Sequence, residues 1–252
     1  YQQNPISTIW ALREDGQIAK FVYENNQDVN CWTRFKTNGL IEDIAIIPSG
    51  KEYDEIYFVV NRTINGTTKR FIEVLEPNFS YDNINYIYSD CSLTYDGRQN
   101  TTLTLTTTTA TAGASIFTIN SVGKEIHNVA GMGKATIVSY TSGTVVGIEI
   151  IKDFASNNLT ANNWGIAISE VSGLNHLIGQ NVIVNGDFAT EPKQKLVDNT
   201  GKIILNNFAV IINAGLKYES IFTSMPTESR KFLQVVGSQQ ARLMRITELA
   251  IK

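Results

Sequence analysis

The chain has 252 residues, of which 18% are charged, and its formal net charge at pH 7 is −3. A nearly balanced charge argues against binding nucleic acid through a generally basic surface. No apolar run reaches the length of a membrane span, and the length leaves room for one to three β domains with a sizeable core. The first residue is Tyr1 rather than Met, and we expect the chain to be a piece of a longer protein.

The segment from Thr8 to Leu75 consists of short runs that are rich in β-branched and aromatic residues and are bounded by turn-forming residues. This pattern predicts an antiparallel meander. Glu14-Asp15-Gly16 marks the first reversal, and Asn65-Gly66 marks the last. Asn-Gly favours a type I′ hairpin, because both central residues of that turn need a positive φ.

The faces of these strands suggest that the sheet is covered on both sides. Ile56, Phe58 and Val60 share one face of their strand, whereas Tyr57 and Val59 share the other. A strand that is apolar on both faces must be buried on both. We therefore predict a layered arrangement, like a blade between its neighbours in a propeller or a layer of a β-sandwich.

The middle of the chain has its own strand and turn signals. The threonine tract 101–111 alternates Leu with Thr, which is typical of a strand with a hydroxyl-bearing outer face. Five short strands between Ile116 and Ile168, with a hairpin across 141–143, predict a compact barrel. Gly131-Met132-Gly133 lacks the Lys-Ser/Thr of a phosphate-binding loop and opens a strand, so we interpret it as a glycine turn.

The last third of the chain contains Asn185-Gly186, a second hairpin signal, followed by predicted strands at 202–205 and 208–212. Its end, 242–252, fits a helix or a strand. The sequence thus predicts an all-β fold in three parts. These are a propeller- or sandwich-like antiparallel meander (1–97), an inserted small β-barrel (98–170) and a C-terminal β domain that is truncated or complete (171–252).

Cysteine and histidine give no sign of a metal site. Cys31 and Cys91 lie in different segments, and we interpret them as buried thiols rather than a disulfide. His127 and His176 have no neighbouring ligands in the sequence, whereas a metal needs three or four that converge. We expect both histidines to be structural, with the side chain of His176, inside the Gly-Leu-Asn-His-Leu turn, hydrogen-bonded to backbone.

Catalytic constellations are also missing from the sequence. The acidic pairs 14–15, 42–43 and 54–55 place adjacent side chains on opposite faces of a strand, whereas a glycosidase needs two carboxyls facing each other across a groove. No nucleophile elbow accompanies the serines. We predict that the protein is not an enzyme and that it has no catalytic residue, cofactor or metal.

Arg62, Arg70 and Glu73 surround the Asn65-Gly66 hairpin. Like charges directly opposite each other would be destabilising, so we expect the arginines to pair with Glu73 or with a carboxylate on another segment. The alternative, to which we give the same weight, is that these three residues contact a neighbouring subunit. We interpret the three tryptophans as core residues, because a sugar-binding platform would need them exposed; they are Trp10, Trp32 and Trp164.

Four motifs in order resemble the tail hub or nozzle proteins of short-tailed bacteriophages and related prophages. They are Gln3 to Gly16 with Tyr23, Val29 and Trp32; Val60-Asn-Arg-Thr-Ile-Asn-Gly66 with Arg70 and Glu73; Leu93-Thr-Tyr-Asp-Gly97; and Gly173-Leu-Asn-His-Leu-Ile-Gly179 followed by Val182 to Gly186 and Gly215-Leu-Lys-Tyr218. The segment 122–164 resembles a β-barrel module inserted in many such proteins and named after a domain of ubiquitin-activating enzymes. The barrel segment contains no cysteine, so ubiquitin transfer is not implied. The resemblance covers nearly the whole chain.

This resemblance implies a structural virion component at the distal end of the tail, assembled in the host cytoplasm. Its partners would be other tail proteins and copies of itself, arranged in a ring around the DNA exit channel. A transient contact with DNA or with the host surface is left open. Family members are generally longer, which implies further sequence before Tyr1 and after Lys252. The alternative functions are a surface adhesin or carbohydrate-binding module and, third, a polysaccharide depolymerase.

Overall fold

The computed structural model describes residues 1–24, 29–50, 52–76, 87–129, 132–187 and 189–221. Within these ranges the chain is almost entirely β, with 3-10 helices at Ile119–Ser121 and Asn175–Leu177, which confirms the all-β class. Tyr1–Tyr218 forms one compact unit. The interpretations of Gly131 and 242–252 lie outside the described residues. In the ranges given above, no helix has the length and apolar character needed to cross a membrane.

The predicted meander is divided into two antiparallel sheets of three strands each. The first contains β1 (Thr8–Leu12), β2 (Ile18–Glu24) and β3 (Val29–Phe35). The second contains β4 (Leu40–Pro48), β5 (Asp54–Ile64) and β6 (Thr67–Val74). The division lets the two sheets bury apolar faces in one shared core, formed by Trp10, Ile18, Ile41, Ile56, Phe58 and Val60.

The hairpin between β5 and β6 confirms the type I′ prediction. Asn65 and Gly66 have φ values of 48° and 73°, and Ile64 lies opposite Thr67. Gly16, with a φ of 71°, turns the β1–β2 hairpin in the same left-handed region.

A third sheet joins distant parts of the chain. Its order is β16 (Ala189–Thr190), β15 (Asn181–Gly186), β19 (Ile211–Leu216) and β7 (Asp90–Asp96), with β17 (Lys195–Leu196) also beside β15. The hairpin expected at Asn185-Gly186 is displaced, because both residues belong to β15 and the positive φ, 51°, falls on Asp187.

The fourth sheet is eight-stranded and surrounds a core of its own. Its order is β13 (Asn158–Leu159), β8 (Leu103–Leu105), β9 (Thr109–Ala112), β12 (Val145–Lys152), β11 (Lys134–Tyr140), β10 (Glu125–Asn128), β14 (Trp164–Val171) and β18 (Ile203–Ala209). A bridge from Arg98 to Gly165 brings the segment before β8 alongside β14. The buried residues of this core all fall between Leu103 and Trp164.

Strand pairs cross both of the segment boundaries expected from the sequence. β7 lies before residue 97 but pairs with β19, and β14 pairs with β18 beyond residue 170. The threonine tract forms the β8–β9 hairpin rather than one strand. Its turn is closed by the hydroxyl of Thr106, which accepts hydrogen bonds from the backbone of Thr108 and Thr109.

Candidate subunit-contact site

Arg62 is the most deeply buried charged residue of the expected contact group, with 1% of its surface exposed. Its Nε lies 2.6 Å from Glu73 Oε1 and its Nη2 lies 2.7 Å from Glu73 Oε2, a bidentate ion pair. The expected pairing with Glu73 is therefore confirmed. Burial lowers the pKa of Arg62, but the hydrogen bond and charge of Glu73 more than offset this, so the guanidinium pKa lies above its ordinary value.

The same guanidinium connects the second sheet to the third. Arg62 also donates to the carbonyl of Asn38 and, over 2.7 Å, to the hydroxyl of Thr37. Asp90, at the start of β7, accepts from that hydroxyl and from the Asn38 backbone nitrogen. Arg62 is thus occupied within its own chain, and its role is to join the β3–β4 connection, the second sheet and β7.

Arg70 lies on the exposed side of the same sheet. Its Nε is 2.5 Å from Glu42 Oε2, and its side chain is 69% exposed. The hydrogen bond from Arg70 lowers the pKa of Glu42. Of the two arginines, only Arg70 presents its side chain to solvent, so the prediction of a contact with a neighbouring subunit now concerns this residue.

Beside Arg70 runs an uncovered apolar face, which we call the β4–β6 outer face and which comprises Ile47, Tyr57, Val59, Ile72 and Val74. Ile72 is 80% exposed, and Val74 and Ile47 are 54% and 50% exposed. Val59 lies opposite Ile72 and Tyr57 opposite Val74, so these side chains share one side of the sheet. The sequence indicated that this side needs a cover, and the described residues leave its outer isoleucines and valine in solvent.

The tryptophans do not all lie in the core. Trp10 and Trp164 are 8% and 0% exposed, as expected, but Trp32 is 64% exposed, so its assignment to the core was wrong. Trp32 belongs to β3, the last strand of the first sheet, whose residues 30–34 are all exposed. The polar residues on both faces of that strand, Asn30, Thr33 and Arg34, were the available signal of an exposed edge.

The cysteines are unpaired, as expected, but only Cys91 is buried. The expectation that Cys31 is buried was wrong, because it lies on the same exposed strand as Trp32. His176 confirms its predicted backbone contact, with Nε2 lying 3.2 Å from the carbonyl oxygen of Cys91, a residue of β7.

His127 lies between two carboxylates and is only 3% exposed. Its Nε2 is 2.7 Å from Glu125 Oε2 and its Nδ1 is 3.2 Å from Asp187 Oδ2. Asp187 Oδ1 accepts from the backbone of Val210 and Ile211 at 2.8 and 2.9 Å, so the pair joins the eight-stranded sheet to the β18–β19 bend.

The carboxylates lie on opposite sides of the ring, and the described part of the chain contains no group of three or more metal-ligating side chains arranged to hold an ion. Comparison with family models and with curated proteins finds no match to this chain. The candidate site is therefore described by its geometry. The buried Arg62 network holds the second and third sheets together, and the exposed β4–β6 outer face lies beside the Arg70–Glu42 ion pair.

Proposed function

We propose that this protein is a non-enzymatic structural component of a phage tail, in the hub or nozzle around the DNA exit channel, and that it acts through protein–protein contacts. The observation that carries the proposal is the β4–β6 outer face. An apolar sheet face of this kind is stable when another surface covers it. A neighbouring subunit is the cover that an assembled ring supplies.

The charges around this face suit a specific contact. Arg70 and Glu42 form an exposed ion pair at one end of it, and opposite charges at the rim of an interface favour one docking orientation over others. The resemblance of Val60–Gly66, Arg70 and Glu73 to the phage family falls on the same two strands. Motif and surface thus support the same proposal independently.

Immunogold imaging of purified virions with an antibody against this chain tests the location. We expect label at the distal end of the tail, and virions without label on the tail would refute the proposal. The contact face is tested by Ile72→Lys, which should reduce incorporation into tails. Ile204→Lys is the matched control, because Ile204 is 69% exposed on the eight-stranded sheet; equal loss in both variants would contradict a role for the β4–β6 outer face.

A further inference from the structure

The outer side of the first sheet carries an apolar row, one aliphatic and two aromatic side chains, that is in register across three strands. Ile9 lies opposite Phe21, and Phe21 lies opposite Trp32. The rings of Phe21 and Trp32 are 4.8 Å apart at an interplanar angle of 37°. Since Trp32 is 64% exposed, Phe21 supports the indole from within the sheet while much of the indole surface remains in solvent.

Polar side chains that have no partner among the described residues border this row. Asn30 and Arg34 lie two residues before and after Trp32 on β3, and alternate residues of a strand share a face. Within the described ranges, neither side chain makes a hydrogen bond or an ion pair. Arg34 lies opposite Ala19, whose small side chain leaves room, and Tyr23, 48% exposed, lies opposite Asn30. We call Phe21, Tyr23, Asn30, Trp32 and Arg34 the β3 platform.

The chemistry of the β3 platform matches one class of ligand. The C–H groups on one side of a pyranose ring form an apolar surface that stacks on an indole or phenol ring, while its hydroxyls bind amide side chains such as that of Asn30. A guanidinium binds a carboxylate through two parallel hydrogen bonds. Because Arg34 has no carboxylate partner among the described residues, it favours a sugar that carries one.

We propose that the β3 platform binds an acidic oligosaccharide, a short chain of pyranose sugars bearing carboxylates. The inference does not rest on the proposed tail function, because the β3 platform lies on the first sheet and the β4–β6 outer face lies on the second. Trp32 supplies the stacking surface, Asn30 binds hydroxyls, and Arg34 selects the carboxylate.

The size of the β3 platform favours a short saccharide over a second copy of the chain. From Asn30 to Arg34 the strand extends about 13 Å, and the two strands that carry the platform lie about 5 Å apart, which gives about 65 Å² in plan. A stable protein complex needs about 800 Å² from each partner. Trp, Tyr and Arg also dominate protein interfaces, so the experiment must separate the two ligands.

Titration calorimetry with trigalacturonic acid and with α2,8-linked trisialic acid tests the proposal, using the fully methyl-esterified trigalacturonate as the neutral counterpart. We expect saturable binding of at least one acidic trisaccharide and about tenfold or weaker binding of the ester, a difference of about 1.4 kcal/mol. Raising the salt concentration should weaken binding of the acid, because exposed charges are screened. Absence of binding to both acids at millimolar concentration overturns the proposal.

Variants identify the surface. Trp32→Ala should weaken binding of the acid about tenfold or more, and Arg34→Gln should remove the preference for acid over ester. Arg13→Gln is the matched control, because Arg13 is an exposed arginine in the turn between β1 and β2 that pairs with Asp15 at 2.7 Å; it should bind as the parent does. Circular dichroism confirms that each variant is folded. Unchanged affinity in Trp32→Ala overturns the proposal. It is also overturned if the parent protein is a dimer in analytical ultracentrifugation and Trp32→Ala is a monomer.

Discussion

The ammonium group of Lys20 lies 4.9 Å from the centre of the Trp10 ring, on the wall of a cavity of about 130 Å³ between the first two sheets. Burial lowers the pKa of Lys20 below its ordinary value, and the charge it feels from Cys31 only partly opposes this. The lowered pKa means that burial in this cavity disfavours the charged form of Lys20.

We expect Lys20→Met to increase the free energy of unfolding at pH 7, because the variant buries no charge in the cavity. Between the lowered pKa of the folded state and the value of 10.5 expected when unfolded, the unfolded chain holds more protons. Stability contributed by Lys20 therefore rises with pH through that window. In urea titrations the advantage of Lys20→Met should shrink from pH 7 towards pH 10, and Lys193→Met, at an exposed position, should have no such advantage.

The buried ion pair gives a second prediction. Glu73→Gln would remove the carboxylate that is hydrogen-bonded to the buried Arg62 guanidinium and leave only Asp90, 4.0 Å away, and breaking such a pair costs about 3 kcal/mol. Glu42→Gln, which breaks the exposed pair with Arg70 on the same sheet, should leave stability unchanged. Chemical denaturation measures both. An equally small effect in the two variants would show that burial of the Arg62–Glu73 pair does not increase the cost of breaking it. The double variant Arg62→Met with Glu73→Leu should recover much of the stability lost in Glu73→Gln.

The hairpin between β5 and β6 isolates the effect of backbone conformation. A Cβ at Gly66 would meet no atom within 4 Å, so only its φ of 73° opposes a side chain. Gly66→Val should cost about 1–3 kcal/mol through backbone strain. Gly66→Asn should cost less, because Asn tolerates the left-handed region. Thermal melting that finds the valine variant as stable as the parent would contradict the type I′ assignment.

The two thiols should react very differently. Burial raises the pKa of Cys91 to about 12, and the negative charge of Glu73 adds to the shift. Because the thiolate is the nucleophile, iodoacetamide at pH 8 should alkylate the exposed Cys31 and leave Cys91 unmodified until the protein unfolds. Peptide mass spectrometry distinguishes the two sites. Labelling of Cys91 in the folded protein at a rate close to that of Cys31 would refute its burial.

Residues 98–170 should fold without the rest of the chain. Their core is complete between Leu103 and Trp164, and the Trp164 indole donates to the carbonyl of Thr101 over 2.7 Å. The isolated module loses the pairing of β14 with β18 and the contact of His127 with Asp187. We therefore expect the backbone amides of its last residues to exchange hydrogen faster. Dispersed amide signals in a two-dimensional NMR spectrum would support independent folding. A collapsed spectrum would mean that the flanking strands are required.

Local patterns predicted the strand content and the Asn65-Gly66 turn, because alternation and turn chemistry act between near neighbours. They could not predict how the meander divides, since that depends on the apolar faces of β1–β3 and β4–β6 packing on each other. Asp187 illustrates the same limit. Its positive φ displaces the expected turn, and its carboxylate is held by the backbone of Val210 and Ile211, more than twenty residues away in the chain.

The candidate sites were partly visible in the sequence. The pairing of Arg62 with Glu73 followed from charge repulsion across a hairpin, but the contribution of Asp90 did not, because it lies 52 residues from Asn38, whose backbone it binds. Trp32 was misassigned because hydrophobicity was weighed without its strand neighbours. The residues of β3 are exposed because β3 is an edge strand of its sheet, and the order of strands in a sheet is a property of the tertiary fold.

The pairing of β7 with β19 determines how this part of the protein would respond to mechanical force. Asp90 lies opposite Leu216, so the chain enters and leaves this strand pair at the same end. Tension between the segments before Asp90 and after Leu216 would load the hydrogen bonds one at a time, as in opening a zip. In the sequence, the strands of the eight-stranded sheet fall between the end of β7 and the start of β19. The force would therefore reach that sheet only after β7 and β19 had separated.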